Sequence, residues 1–162
     1  MSEEVKELVL DEVKEPVSDT RKYLIFSSDE RLFGVDTDYV ETILNETAIT
    51  FIPMLPGHIR GVINLRGLIV PIIDFKMMLG QGMSESSCVV VLREDETYVG
   101  ILVDNVADME DVGRSQILPV PSQSGQSLHN LVSGMCSLPE GAVPGQAGTM
   151  LVLDCQFLFN QQ

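Results

Sequence analysis

The sequence contains no tryptophan, only three cysteines and two histidines, and aromatics make up 6% of its 162 residues. So few rings exclude an aromatic platform for sugars or nucleobases. Cys88, Cys136 and Cys155 are odd in number, far apart and set among apolar neighbours. That pattern is neither a disulfide framework nor a zinc site, and buried reduced thiols are expected. His58 follows a Pro-Gly turn and His129 lies in a polar stretch, so both read as solvated loop residues. Positive charge is scarce too. Ten Lys and Arg stand against 24 acids, a net charge of −14, which argues against nucleic acid and anionic membrane surfaces. The longest apolar run, Leu68 to Ile73, is far too short to span a bilayer, and no apolar N-terminal region with a basic flank marks a signal peptide. The reading is a soluble cytoplasmic chain.

Enzymatic signatures are missing as well. There is no Gly-x-Ser-x-Gly elbow, phosphate loop, dinucleotide fingerprint or Cys-x-x-Cys. Asp104, Asp108, Glu110 and Asp111 lack the central Gly and terminal Glu of a calcium loop and read as a solvated acidic edge. No metal, cofactor or catalytic residue is therefore expected. Eight methionines, Met77-Met78 among them, serve as core filler or as a soft partner surface.

What the chain does contain is a repeat. Displaced by 66 residues, Leu24 to Val35 lies on Val90 to Ile101, Asp38 on Asp104 and Val40 on Val106. Gly61-Val62-Ile63-Asn64-Leu65 then matches Gly134-Met135-Cys136-Ser137-Leu138, and Ile72-Ile73-Asp74-Phe75 matches Val152-Leu153-Asp154-Cys155. Two similar units in tandem leave a seam between them. A unit of about 65 residues is marginal alone, so the two are expected to share a core.

Residues 1–19 carry seven acids against Lys6 and Lys14, with Val5, Leu8, Val9 and Val13 at helical spacing. This acidic tail (1–20) is a disordered arm or a short frayed helix. Lys22 to Ser28 and Arg31 to Val35 form a hairpin about Ser28-Asp29-Glu30. Asp38 is placed to cap a short helix carrying Val40, Ile43 and Leu44. Thr50 to Ile52 is briefly extended. Gly61 to Leu65 and Leu68 to Ile73 are strands about Arg66-Gly67, with Pro71 predicting a sheet edge or bulge. Asp74 to Leu79 is a short helix, and Gln81 to Ser87 a polar linker. The second unit repeats the plan through Cys88 to Leu92, Tyr98 to Val103, Ile117 to Val120, Leu131 to Leu138 and Thr149 to Leu153, with loops at Ser122 to Ser127 and Pro139 to Gly148. Short strands with frequent turns predict small barrels.

The ordered run Gly61-Val62-Ile63-Asn64-Leu65-Arg66-Gly67-Leu68-Ile69-Val70-Pro71-Ile72-Ile73-Asp74 resembles the signature of the CheW family of chemotaxis coupling proteins. Tyr23 to Phe26, Phe33 to Asp36, Tyr39-Val40 with Ile43, Val99 to Asp104 and Leu151 to Asp154 follow in family order, covering about residues 21–159. The resemblance implies a mainly β fold of two tandem five-stranded SH3-like barrels packed over a shared core. The expected domain is 21–160, with lobe 1 near 21–80, lobe 2 near 87–153 and a C-terminal segment 154–160 packing back.

The resemblance also implies a non-enzymatic adaptor that couples methyl-accepting chemoreceptors to the regulatory domain of a CheA-type histidine kinase, at membrane-associated receptor arrays. The same scaffold role in a pilus-motility or other chemosensory pathway is the alternative, and a small β-barrel enzyme or ligand-binding protein the remote one. Expected receptor-binding residues are Val40, Glu41, Thr42, Gly61, Val62, Asn64, Leu65 and Arg66. Expected kinase-binding residues are Asn45, Glu46, Ile49, Val120, Ser122 and Gln123. The family order after Tyr39-Val40 is a basic or polar residue, Glu, then Ile; here it is Glu41, Thr42, Ile43. On a helix that displacement turns the carboxylate by about 100°, leaving Arg66 to pair with Glu41, with another acid or with the partner.

Overall fold

A computed structural model describes residues 19–55, 58–85, 88–120, 130–139 and 148–160. The tail up to residue 18, His129, the whole 122–127 loop and most of the 139–148 loop lie outside the described residues. Among the described residues there are eleven strands: β1 Thr20–Ser28, β2 Arg31–Asp36, β3 Val40–Leu44, β4 Thr50–Phe51, β5 Ile59–Leu65, β6 Leu68–Asp74, β7 Cys88–Glu94, β8 Thr97–Val103, β9 Asn105–Gly113, β10 Val132–Ser137 and β11 Thr149–Leu153. The short helices α1 Phe75–Met78 and α2 Cys155–Phe159 follow β6 and β11. Their caps are equivalent: Asp74 accepts from the Lys76 and Met77 amides, and Asp154 from that of Phe157.

The strands form a five-stranded sheet, β10-β11-β2-β1-β9, and a six-stranded sheet, β3-β7-β8-β6-β5-β4. The fold is mainly β, as expected. The sixth strand is the two-residue β4, whose counterpart beside β10 is a single bridge, Leu118 to Met135. The repeat maps β1, β2, β3, β5 and β6 onto β7, β8, β9, β10 and β11. The sheets, however, do not follow the halves 21–80 and 87–153. β1 pairs with β9 and β2 with β11, while β3 pairs with β7 and β6 with β8. Each repeat donates its leading hairpin to the other repeat's sheet. Local sequence sets a hairpin, but not which sheet the hairpin joins.

Strand alternation follows from this exchange, because the donated hairpins are buried on both faces. Tyr23 and Ile25 of β1 face one lobe core with Leu32, Cys136 and Met150. Leu24 and Phe26 enter the shared core with Phe33, Phe75, Ile101 and Leu158. In β7, Val89 and Val91 serve the other lobe core, and Val90 and Leu92 the shared one. The parallel pairing needs a glycine in each repeat. A Cβ on Gly34 would lie 2.3 Å from the Met150 sulfur, and one on Gly100 2.5 Å from Ile72 Cδ1.

Two local expectations are corrected. Val40 to Leu44 is a strand, not a helix, and Asp38 does not cap it; Asp36 accepts from the Asp38 amide at 2.9 Å within a 3-10 turn over Thr37–Tyr39. Val40, Thr42 and Ile43 are β-branched and favour the extended form beside β7. Pro71 stands in an interior strand between β5 and β8 rather than at an edge. The β8 ladder begins one residue later, at Ile72, so the missing N–H falls outside it.

Candidate functional site

β3 carries a bulge. Val40 registers with Leu92 and Thr42 with Val91, so Glu41 is the extra residue. A bulge bends its strand and re-aims the unpaired side chain. Glu41 is thereby held between two arginines, at 3.7 Å from Arg66 and 3.6 Å from Arg93. Arg93 also donates to the Asp95 carbonyl at 2.7 Å and lies over the Tyr98 ring. Within the chain, Arg66 therefore lies beside Glu41.

Arg66 sits at a turn whose two central residues both have positive φ, +53° for Arg66 and +87° for Gly67. That is the geometry of a two-residue hairpin loop. Asn64 fixes it by accepting from the Gly67 amide at 2.8 Å. The Arg66 side chain stays 74% exposed, so it reaches solvent while touching Glu41. Leu68 and Ile69, beside it on the hairpin, are exposed apolar residues.

A second bulge frees Arg60. Ile59 registers with Ile73 and Gly61 with Ile72, leaving Arg60 without a partner in the ladder. It turns to the fully buried Asp74, 2.8 Å away, and donates to the Ser84 carbonyl at 2.9 Å. The Ser84 amide donates to the same carboxylate at 2.9 Å. Sequence reasoning missed this clasp, since Asp74 reads only as a cap and Arg60 as one more strand residue.

Arg60 also stacks over Phe51, 4.5 Å from its centroid. Around that pair, Ile52, Met54, Leu55, Met77 and Met83 line an apolar pocket of about 340 Å³. Met54 is almost wholly exposed and Met83 mostly so. This surface was not anticipated either; its sequence signal is the apolar cluster from Phe51 to Leu55, of which Thr50 to Ile52 reads only as a brief extended piece.

The remaining residues singled out earlier fall into separate roles. Leu65 and Ile49 pack against the core of the six-stranded sheet, and Val40 and Val120 against the shared core. Gly61 is buried where a Cβ would come within 2.1 Å of the Thr50 carbonyl oxygen, so its bareness lets β4 pair closely beside β5. Val62 and Thr42 are half-buried ladder residues opposite Thr50 and Val91. Asn45 accepts from the Cys88 thiol at 3.5 Å, and Glu46 is exposed at φ +55°. Ser122 and Gln123 lie outside the described residues. All three thiols are buried. Burial, helped by Asp36, Asp154 and Glu94, pushes Cys155 up to about 12.

A sequence-family model for the CheW-like domain matches residues 22–162. Chemotaxis protein CheW of Klebsiella aerogenes is 36% identical over 123 residues, covering 74% of each chain. Chemotaxis protein CheW of Rhizobium meliloti is 30% identical over 140 residues, covering 85% of this chain and 87% of its own. Among solved structures, scaffolding protein TtCheW from Thermoanaerobacter tengcongensis superposes with a TM-score of 0.70 at 27% identity, over 83% of this chain and 88% of that one.

Proposed function

The chain belongs to the CheW-like domain family, and from that premise we propose that it is a non-enzymatic chemotaxis adaptor. It couples methyl-accepting chemoreceptors to a CheA-type histidine kinase. The observation that carries this reading is the family match over residues 22–162. The mechanism is positional: by holding receptor and kinase in one lattice, the adaptor lets receptor state bias kinase activity. It works in the cytoplasm and is recruited to receptor arrays. Residues 21–160 act as one unit, since the exchanged hairpins tie the two repeats together.

A receptor helix needs an apolar trough with a few polar anchors at its rim. Arg66 is such an anchor, with Leu68 and Ile69 exposed at its side and Glu41 fixing its direction. Val40, Thr42, Val62 and Asn64 complete the receptor contact, with Gly61 and Leu65 shaping it from within. The kinase contact uses the Asn45 to Ile49 loop and the stretch from Val120 to Gln123.

The test is co-sedimentation with a receptor signalling fragment and a kinase regulatory domain from the same organism. Capture of both supports the adaptor role; capture of neither by correctly folded protein rejects it. Receptor fragments from flagellar and pilus pathways, used in parallel, identify the array served. Arg66→Ala weakens receptor capture more than kinase capture, and equal losses would remove Arg66 from the receptor contact.

A further inference from the structure

We infer that Arg93 is a second anchor of the receptor contact, and that Arg66 and Arg93 together take a carboxylate from an acidic side chain of the receptor helix. This deepens the adaptor reading and rests on it, adding the chemistry the contact selects and a residue from the second repeat. Arg93 reaches the site because the β7–β8 hairpin joins the six-stranded sheet between β3 and β6. Val89 and Val91 line the core of that lobe, with Tyr98 packed at its margin. Alternation sets Arg93, which registers with Tyr98, on the same face, over the end of that core.

The charge balance at this spot is the reverse of the chain's. Acids outnumber bases 24 to 10 overall, and Arg21 follows that pattern, one cation beside both Asp36 and Asp38. Glu41 is one acid between two cations. Asp95 meets Arg93 through its backbone carbonyl, which carries no net charge, and Glu94 accepts from Gln156. These contacts leave one arginine charge to be matched from outside. The geometry leaves donors as well. Each arginine approaches a different oxygen of Glu41, at 3.7 and 3.6 Å. Those separations are longer than a hydrogen bond, so both guanidinia keep N–H groups for a closer acceptor. Arg93 is already held in place by its Nε–H on the Asp95 carbonyl at 2.7 Å and by the Tyr98 ring, 5.4 Å away at its centroid. Little side-chain freedom is then lost on binding, although the Arg93 side chain is still 47% exposed. A carboxylate suits the vacancy because its two oxygens match the planar guanidinium fork. A helix lying on the exposed Leu68 and Ile69 presents such a group from the border of its apolar face.

The test measures the Kd of the full-length chain for a receptor signalling fragment and, separately, for a kinase regulatory domain from the same organism. Arg93→Gln is expected to weaken receptor binding about tenfold, the loss of one charge-assisted hydrogen bond, and to leave kinase binding unchanged. Arg93→Lys keeps the charge without the fork and recovers only part of the loss. Each acid of the receptor fragment is then replaced by glutamine in turn. At one position the replacement costs about tenfold against the unaltered chain and almost nothing against Arg93→Gln, the non-additivity of two groups in contact.

Unchanged receptor binding by Arg93→Gln would overturn the proposal. So would full additivity at every receptor acid, since Arg93 would then act only by shaping its own surroundings, and so would an equal loss of kinase binding. An unaltered chain that captures no receptor fragment would remove the adaptor reading and this proposal with it, whereas capture that is insensitive to Arg93 removes this proposal alone.

Discussion

Replacing Asp74 by alanine removes a fully buried carboxylate that accepts from Arg60 at 2.8 Å, the Ser84 amide at 2.9 Å, the Lys76 amide at 3.0 Å and the Met77 amide at 3.3 Å. Breaking a buried ion pair from one side destabilises by about 3–5 kcal/mol. Arg60 keeps 18% of its side chain exposed and rehydrates in part, so the lower end, about 3 kcal/mol, is expected. The repeat supplies its own control. Asp154 occupies the same place before α2, but among the described residues its carboxylate accepts from Phe157 alone, at 3.3 Å. Alanine there loses a cap, about 1 kcal/mol. With an m-value near 2 kcal/mol/M, the urea midpoints fall by about 1.5 M and about 0.5 M. Far-UV circular dichroism at low protein concentration follows the transition, since the chain has no Trp. Replacing both partners, as in Arg60→Met/Asp74→Leu, should recover much of the loss, because no charge is then left buried. Equal midpoint shifts at Asp74 and Asp154 would show that the clasp adds nothing beyond capping.

Gly100→Ala is expected to destabilise by about 1–3 kcal/mol, and more than Gly34→Ala. Its Cβ meets the stiff side chains of Ile72 and Val89, whereas that of Gly34 meets the flexible end of Met150; paired urea titrations give the order. Glu41→Gln changes stability by less than about 1 kcal/mol because Arg66 is largely exposed, yet it should alter receptor capture by freeing Arg66; the same two assays separate the effects. Raising pH should destabilise the protein from about 9, where the Cys155 thiol ionises in the unfolded chain, up to about 12, where it ionises in the folded one. That stability is fully present below the unfolded value. Cys155→Ala should flatten the alkaline decline, measured by urea midpoints between pH 8 and 11.

Much of the architecture was legible because the repeat displays it directly. Leu24 to Val35 over Val90 to Ile101 marks the hairpins, and Gly34 and Gly100 fall in register for one steric reason. The exchange of hairpins was not legible, since pairing between β2 and β11 is decided by the assembled sheets. Val40, Ile43 and Leu44 suit a helical face as well as a strand, and only β7 alongside decides between them. At the site, Arg66 and Glu41 could be singled out from sequence, but their contact depends on a bulge that no local motif announces. Arg60 was missed for the same reason: alternation places it on a ladder that it has in fact left.

Synthesis on the ribosome meets a delay built into the topology. The β1–β2 hairpin emerges early, yet its strand partners are β9, beginning at Asn105, and β11, ending at Leu153. At about 5–20 residues per second, the nascent hairpin waits several seconds for them. Meanwhile Leu24, Phe26, Phe33 and Val35, all destined for the shared core, have nothing native to cover them. The interval between first and last partner is when a chaperone, or a neighbouring nascent chain, would find this protein most receptive.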